Sequence, residues 1–264
     1  YRSVDELYSS PPSYDLYITG SDQVWNPTQA YCIEPYFLGF VKNHGRKISY
    51  ASSIGISSLL ENEKCQFKEW LSSYDAISVR ETTAKKILEG IVDKKVYQVA
   101  DPTFLLSRGQ WGKMAAHSSY QYENYLFLFT LTFDKTLFDY AQSLKKESGQ
   151  ELIYLCADYV PKKHRTNCLC ITDAGPYDFL YLIVHANMII TNSFHCVVFS
   201  IIMQARNFYA YISKWNQRGS RITDLLSTYS LSSHILDTSL SQIYTELSRN
   251  EIEYDVVTRI YLQE

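Results

Sequence analysis

The sequence predicts an α/β protein built from two units with largely parallel sheets. Short apolar runs alternate with longer amphipathic ones along the chain, as strands and helices do when they take turns. A stretch without clear period, residues 107–123, splits that alternation into two halves. Polar residues also collect where the apolar runs stop, which is where open α/β sheets hold their ligands.

In the first half, Asp15–Gly20 reads as a buried strand ending in a glycine turn, and Lys47–Ala51 as a second strand followed by small residues. Residues 59–72 have helical spacing. Ala76–Val79 is a strand leading into a helix over 81–88, and Val96–Val99 is the last strand before Asp101-Pro102 breaks the pattern. Proline pushes the residue before it out of the helical region. The second half starts with the apolar run Tyr125–Phe129, then a helix near 135–147 and the strand Glu151–Cys156. Pro176–Ile183 predicts a helix with proline in its first turn, where its missing N–H costs nothing. Met188–Ile190 is a strand, Phe194–Met203 a helix, Asn207–Tyr211 a strand, and the tail from about 221 is helical in patches. The expected division is 1–110 and 111–264.

Bulk properties bound the function. A chain of 264 residues makes one large domain or two small ones, and 46% hydrophobic with 20% charged residues describes a globular core. The formal net charge of -3 gives no basic field for nucleic acid, so an anionic ligand needs a local cluster of cations. No apolar run reaches the roughly 20 residues of a membrane span. The start lacks a signal-peptide pattern and an initiator Met, which suggests a trimmed beginning. The six cysteines fit neither a disulfide scaffold nor a metal cage, and Cys168 and Cys170 read as buried strand residues in a cytoplasmic protein. The 23 tyrosines suit sugar stacking as well as ordinary half-buried surfaces.

The strand-end rule points to Gly20-Ser21-Asp22-Gln23, Ala51-Ser52-Ser53, Arg80-Glu81, Asp101, Thr191–His195 and Lys214. Taken singly, such residues more often cap helices or shape turns. The sharpest segment is Ile189–His195, in which a strand ends and Asn192 or Ser193 caps a helix whose first N–H groups form an anion site. His195 stands in that first turn, where the dipole favours a neutral base; a histidine bonded into the core is the alternative. The remaining histidines, at 44, 117, 164, 185 and 234, lack such a setting. Arg80 follows an apolar strand, so its planar fork is held for a carboxylate or phosphate, or else pairs with Glu81 or another acid. Lys214, Arg218 and Arg221 form a cationic cluster or a solvated loop. No Walker loop, G-x-G-x-x-G, H-E-x-x-H or G-x-S-x-G occurs.

Several segments, in order, resemble blocks of one family: Gly20-Ser21-Asp22-Gln23-Val24-Trp25, Tyr50-Ala51-Ser52-Ser53-Ile54-Gly55, Ser78-Val79-Arg80-Glu81, Asp101–Leu106, Ile190–His195 and Phe199-Ser200. The chain resembles the polysaccharide pyruvyl transferases. That resemblance implies two Rossmann-like lobes arranged as in the B-type glycosyltransferases, with the site in the cleft between them. It also implies phosphoenolpyruvate as donor, a sugar diol of a cell-surface polysaccharide or its precursor as acceptor, and a pyruvate ketal as product. Neither metal nor cofactor is required. Two departures stand out. Cys196 replaces a usual glycine after the histidine, and only 14 residues precede Asp15, so the N-terminal lobe is expected to be incomplete.

On this resemblance Arg80, His195 and Lys214 are the leading positions for donor binding and catalysis. The needs of ketal formation then make His195 the expected proton donor or base and, among the acids at strand ends, Asp22, chosen over Asp101, the group that binds or activates the acceptor. Arg80, Ser193 and Lys214, with Arg221 as a weaker member, clamp the donor, while Gly20, Ser21, Gln23 and Ser52 face the acceptor. The expected partners are the small-molecule donor and a glycan or lipid-linked sugar, with the enzyme in the cytoplasm or at the inner face of the membrane. Two rival readings are a nucleotide-sugar glycosyltransferase on the same frame and a non-catalytic glycan-binding remnant.

Overall fold

The computed structural model describes residues 1–41, 45–213 and 219–261. They form two compact units. The first takes in Tyr1–Pro102 and, from later in the chain, the start of a helix through Asp224; the second holds the chain from Thr103 onward apart from that return.

In the first unit, helix α1 (Val4–Ser9) precedes strand β1 (Leu16–Thr19), β2 (Arg46–Ser49), α2 (Glu61–Leu71), β3 (Ile77–Val79), α3 (Thr82–Glu89) and β4 (Val96–Gln98). β1 pairs parallel with β2 in the register Thr19↔Ser49, and β3 with β4 in the register Val79↔Gln98. Parallel bridges Ile48↔Ala76 and Ser52↔Val79 join the two pairs, so all four carboxyl ends face one way. The core is aromatic. Trp25 stacks on Phe37 at 5.2 Å, meets Tyr74 edge-on at 6.0 Å, and Phe37 in turn packs on Phe67 at 5.0 Å. Pairs of this kind add about 0.5–1.5 kcal/mol beyond the area they bury. The Trp25 indole N–H is satisfied by the Tyr36 carbonyl at 3.1 Å, so the ring fixes the loop after β1 without an orphaned polar group.

The second unit contains α4 (Arg108–Ala115), β5 (Tyr125–Thr130), α5 (Lys135–Ser148), β6 (Leu152–Cys156), β7 (Leu169–Ile171), α6 (Pro176–His185), β8 (Ala186–Thr191), α7 (Phe194–Ile202) and β9 (Phe208–Ala210). Its sheet runs β7-β6-β5-β8-β9, all parallel. Every side chain of β5 is buried, as expected of a parallel strand covered on both faces. α5 starts at Asp134, whose carboxylate accepts from Leu137 N, and stops at Gly149, left-handed at φ 69. The connection β5→β6 goes to one side and β8 lies on the other, so a topological switch point opens between the ends of β5 and β8. Helices α8 (Ser220–Thr228), α9 (Tyr244–Leu247) and α10 (Tyr254–Tyr261) complete the described chain.

The aperiodic stretch 107–123 is corrected in part. It contains α4, started by a capping box in which Ser107 Oγ accepts from Gln110 N and the Gln110 side chain accepts from Ser107 N. Gly109 and Gly112 obscure the helical period there.

His234 is buried, hydrogen-bonded at 2.9 Å through Nδ1 to the Phe208 carbonyl, and stacked on Phe208 and Tyr209. Burial holds its imidazole below the ordinary histidine range, partly offset by that carbonyl. The unfolded chain therefore takes up a proton here before the folded chain does. This contribution to stability is intact above about pH 6.5 and is lost as pH falls from there through the depressed folded value. Urea midpoints between about pH 5 and 8 should drop on the acid side in the parent protein, and drop less in His234→Gln.

Candidate active site

The carboxyl ends of all four strands of the first unit converge on Arg80. β3 delivers Arg80 straight from its apolar run, and its backbone N–H donates to the Ser52 carbonyl at 3.3 Å. Its guanidinium is held on every nitrogen. Nε donates to Glu81 Oε1 at 3.5 Å, Nη1 to Asp101 Oδ2 at 2.6 Å and Ser21 Oγ at 3.1 Å, and Nη2 to Asp22 Oδ1 at 3.2 Å. The side chains of Arg80, Glu81 and Asp101 are 1%, 2% and 2% exposed, whereas that of Asp22 is 64% exposed. Ser21 Oγ donates onward to Asp101 Oδ2 at 3.1 Å.

Backbone pairing aligns the loops that carry these groups. Ser53 N donates to the Asp22 carbonyl at 2.9 Å and Trp25 N to the Ser53 carbonyl at 3.2 Å, with a parallel bridge Asp22↔Ser52. Asp22 has φ 87, a left-handed-side conformation that Asp tolerates better than most residues. Its own carboxylate accepts from Gln23 N at 2.8 Å. Gly55, at φ 71, is needed because a Cβ there would lie 2.5 Å from Gln23 Oε1.

Glu81 pairs with Arg80, one of the two alternatives the sequence leaves open for that arginine. Its Oε1 accepts from Ser53 Oγ and Arg80 Nε, while the buried Oε2 has no hydrogen-bond partner among the described residues. Burial pushes the carboxyl above the usual range against the opposing pull of Arg80, Ser53 and Arg221. Arg221, in the first turn of α8, is buried and reaches Gln23. With the Gln23 amide oxygen turned to it, Nη1 and Nη2 donate at 3.2 and 3.0 Å; turned the other way, that oxygen accepts from Asn26 Nδ2 at 2.8 Å. Asp224, one turn on, accepts from Thr83 N at 2.9 Å, so a carboxylate from late in the chain caps α3 and holds the start of α8 in the first unit.

Ser21, Asp22, Gln23, Arg80 and Arg221 thus come together, joined by Glu81, Ser53 and Asp101. Gly20 is exposed at the β1 end. Ser52 is wholly buried, and its hydroxyl donates to the carbonyl of Gly20 at 3.0 Å. In the second unit, Ser193 caps α7, accepting from Cys196 N at 3.4 Å, and half-buried His195 follows in the first turn beyond the end of β8. Cys196 is completely buried, so the side chain that replaces a glycine packs inward, and burial pushes its thiol up to about 12. Lys214, Arg218 and His44 lie outside the described residues. Among the described residues, no group of three or more His, Cys, Asp or Glu is placed to hold a metal ion, and no helix is long and apolar enough to cross a membrane.

Removing one partner of a buried ion pair strands the other charge. Arg80→Met leaves the buried Asp101 and Glu81 without their shared cation and should lower stability by roughly 3–5 kcal/mol in urea unfolding, and adding Asp101→Asn should restore part of that loss. A double variant no more stable than Arg80→Met alone would show that Asp101 and Arg80 are not coupled.

No curated protein matches the chain in sequence. Among solved structures, the chain is similar to UDP-GlcNAc 2-epimerase of Methanocaldococcus jannaschii in complex with UDP-GlcNAc and UDP, with TM-score 0.61 and 15% identity over 98% of this chain and 77% of that one. It is also similar to UDP-N-acetylglucosamine 2-epimerase of Rickettsia bellii, with TM-score 0.59 and 13% identity over 98% and 76%. A third is Arabidopsis thaliana UGT89C1 complexed with quercetin, with TM-score 0.53 and 10% identity over 98% and 69%. These likenesses establish the fold, that of the B-type epimerases and glycosyltransferases. Residues 1–209 match the polysaccharide pyruvyl transferase family, and this span includes the motif blocks that converge on Arg80. The chain belongs to the polysaccharide pyruvyl transferase family.

Proposed function

We propose that the protein transfers a pyruvyl group from phosphoenolpyruvate to two hydroxyls of one sugar in a cell-surface polysaccharide or its precursor. The observation that carries this reading is spatial. Four family blocks far apart in sequence, around Asp22, Ser53, Arg80 and Asp101, meet in one hydrogen-bonded cluster at the strand ends.

The chemistry has three parts. A proton is added to the methylene carbon of the donor, making it a methyl group and leaving a cation at the neighbouring carbon. A first sugar hydroxyl adds to that carbon and loses its proton. The second hydroxyl then displaces phosphate and loses its own, giving a ketal and inorganic phosphate. The protein has to hold two anionic groups, supply one proton to carbon and accept protons from oxygen. In this proposal Arg80, Ser193, Lys214 and Arg221 hold the donor. Ser21, Gln23, Gly20 and Ser52 shape the acceptor side, with Ser52 acting through the backbone of Gly20. His195 carries the proton, and Asp22 receives the acceptor hydroxyl. The reaction takes place on the cytoplasmic side, where phosphoenolpyruvate is available, and needs no redox or metal cofactor.

The test is to incubate the purified chain with phosphoenolpyruvate and candidate oligosaccharides, following phosphate release and the ketal methyl group by NMR. Ketal formation is expected, and His195→Ala should lower turnover by about 10²–10⁴-fold. Near-full turnover in that variant would remove His195 from the mechanism. Turnover of a nucleotide sugar, with none of phosphoenolpyruvate, would replace pyruvyl transfer by glycosyl transfer.

A further inference from the structure

We infer that Asp22 is a displaceable counter-ion: on Nη2 of Arg80 it holds the position that the carboxylate or phosphate of an anionic ligand takes, and it moves aside when that ligand arrives. The inference rests on reading Arg80 as an anion-binding residue.

The guanidinium already faces a carboxylate on each of its three nitrogens. A further anion brought to this crowded group meets like charge, so it gains most by replacing one of the three. The three are not equivalent. Asp101 is buried, sits 2.6 Å from Nη1 and is also held by Ser21. Glu81 is buried and held by Ser53. Moving either would leave charge stranded without water, the costly case for a buried pair. Asp22, 3.2 Å from Nη2, is the mostly exposed one of the three, so its carboxylate can be hydrated once it leaves, and exposed ion pairs are weak. It also accepts from Gln23 N, which ties it to the loop rather than to Arg80 alone.

Displacement couples the two halves of the reaction. A carboxylate released from Arg80 beside the newly bound anion no longer accepts from Nη2. It is then able to take the proton of a sugar hydroxyl, so the anion binds first and the hydroxyl second. Asp22 thereby serves as placeholder for one substrate and receiver for the other.

The experiment is calorimetric titration of the full chain and of Asp22→Asn with three probes: inorganic phosphate, pyruvate and phosphoenolpyruvate. Asparagine tolerates a positive φ and still accepts from Gln23 N, so the variant removes charge with little change of shape. Asp22→Ser, which also keeps an acceptor, is the second variant if the first fails to fold. Loss of the competing charge should tighten binding of at least one probe by roughly three- to five-fold, and the probe that responds identifies which group replaces Asp22. A merely structural role for Asp22 would only weaken binding. If the parent binds phosphoenolpyruvate and the variants bind every probe equally or more weakly, the inference fails and the donor reading stands. Tightened phosphate binding with no binding of phosphoenolpyruvate supports the inference and sinks the donor. No binding of any probe to any folded variant overturns both.

Discussion

The buried guanidinium of Arg80 is the point on which the first unit's strand ends depend. A planar cation with five donors, taken out of water, has to find acceptors in the directions its fork dictates. Those acceptors come from three other places in the chain: Ser21 and Asp22 after β1, Glu81 next to Arg80 itself, and Asp101 after β4. Each parallel strand is short, and a parallel pair contributes less per residue than an antiparallel one. The polar cluster therefore cross-links loops that the sheet alone would leave weakly aligned.

An apolar layer beneath makes that arrangement possible. Trp25 is anchored between Phe37 and Tyr74 and hydrogen-bonded to Tyr36, so the loop that presents Ser21 and Asp22 is tied down within a few residues of them. Gly55 then allows Gln23 to lie against the neighbouring loop, where it reaches Arg221. Packing, backbone pairing and charge all act on the same five-residue stretch. The exposed Asp22 is the member of the cluster that faces solvent, and its unusual φ is the kind of local cost that stiff surroundings can hold in place.

The second unit solves a related problem with different parts. Its sheet order puts a switch point between β5 and β8, and the helix after β8 begins there with a serine cap and His195 in its first turn. A helix start of this kind presents backbone N–H groups left unpaired by the helix ladder at the strand end, whereas the strand ends of the first unit are gathered by a buried arginine and its carboxylates. Cys196, wholly buried in the same turn, leaves that surface to its neighbours.

Much of this was legible in the chain itself. Continuous apolar runs such as Tyr125–Phe129 mark strands covered on both faces, and proline or small polar residues mark where helices begin, because those signals are local and physical. The motif blocks pointed to loops that meet in the folded unit, among them those of Ser21, Asp22, Gln23 and Arg80. The helix α4 was hidden because glycines broke its period. What the sequence could not disclose was which polar residues meet. Nothing near Glu81 in the chain says that its carboxylate is sealed between Ser53 and Arg80, or that Arg221, 141 residues beyond Arg80, returns to Gln23 through a helix pinned by Asp224. Burial and long-range pairing are properties of the closed fold. Local sequence determined the elements and the candidate loops; only the tertiary structure decided that three carboxylates share one arginine and that one of them, Asp22, is the exposed member.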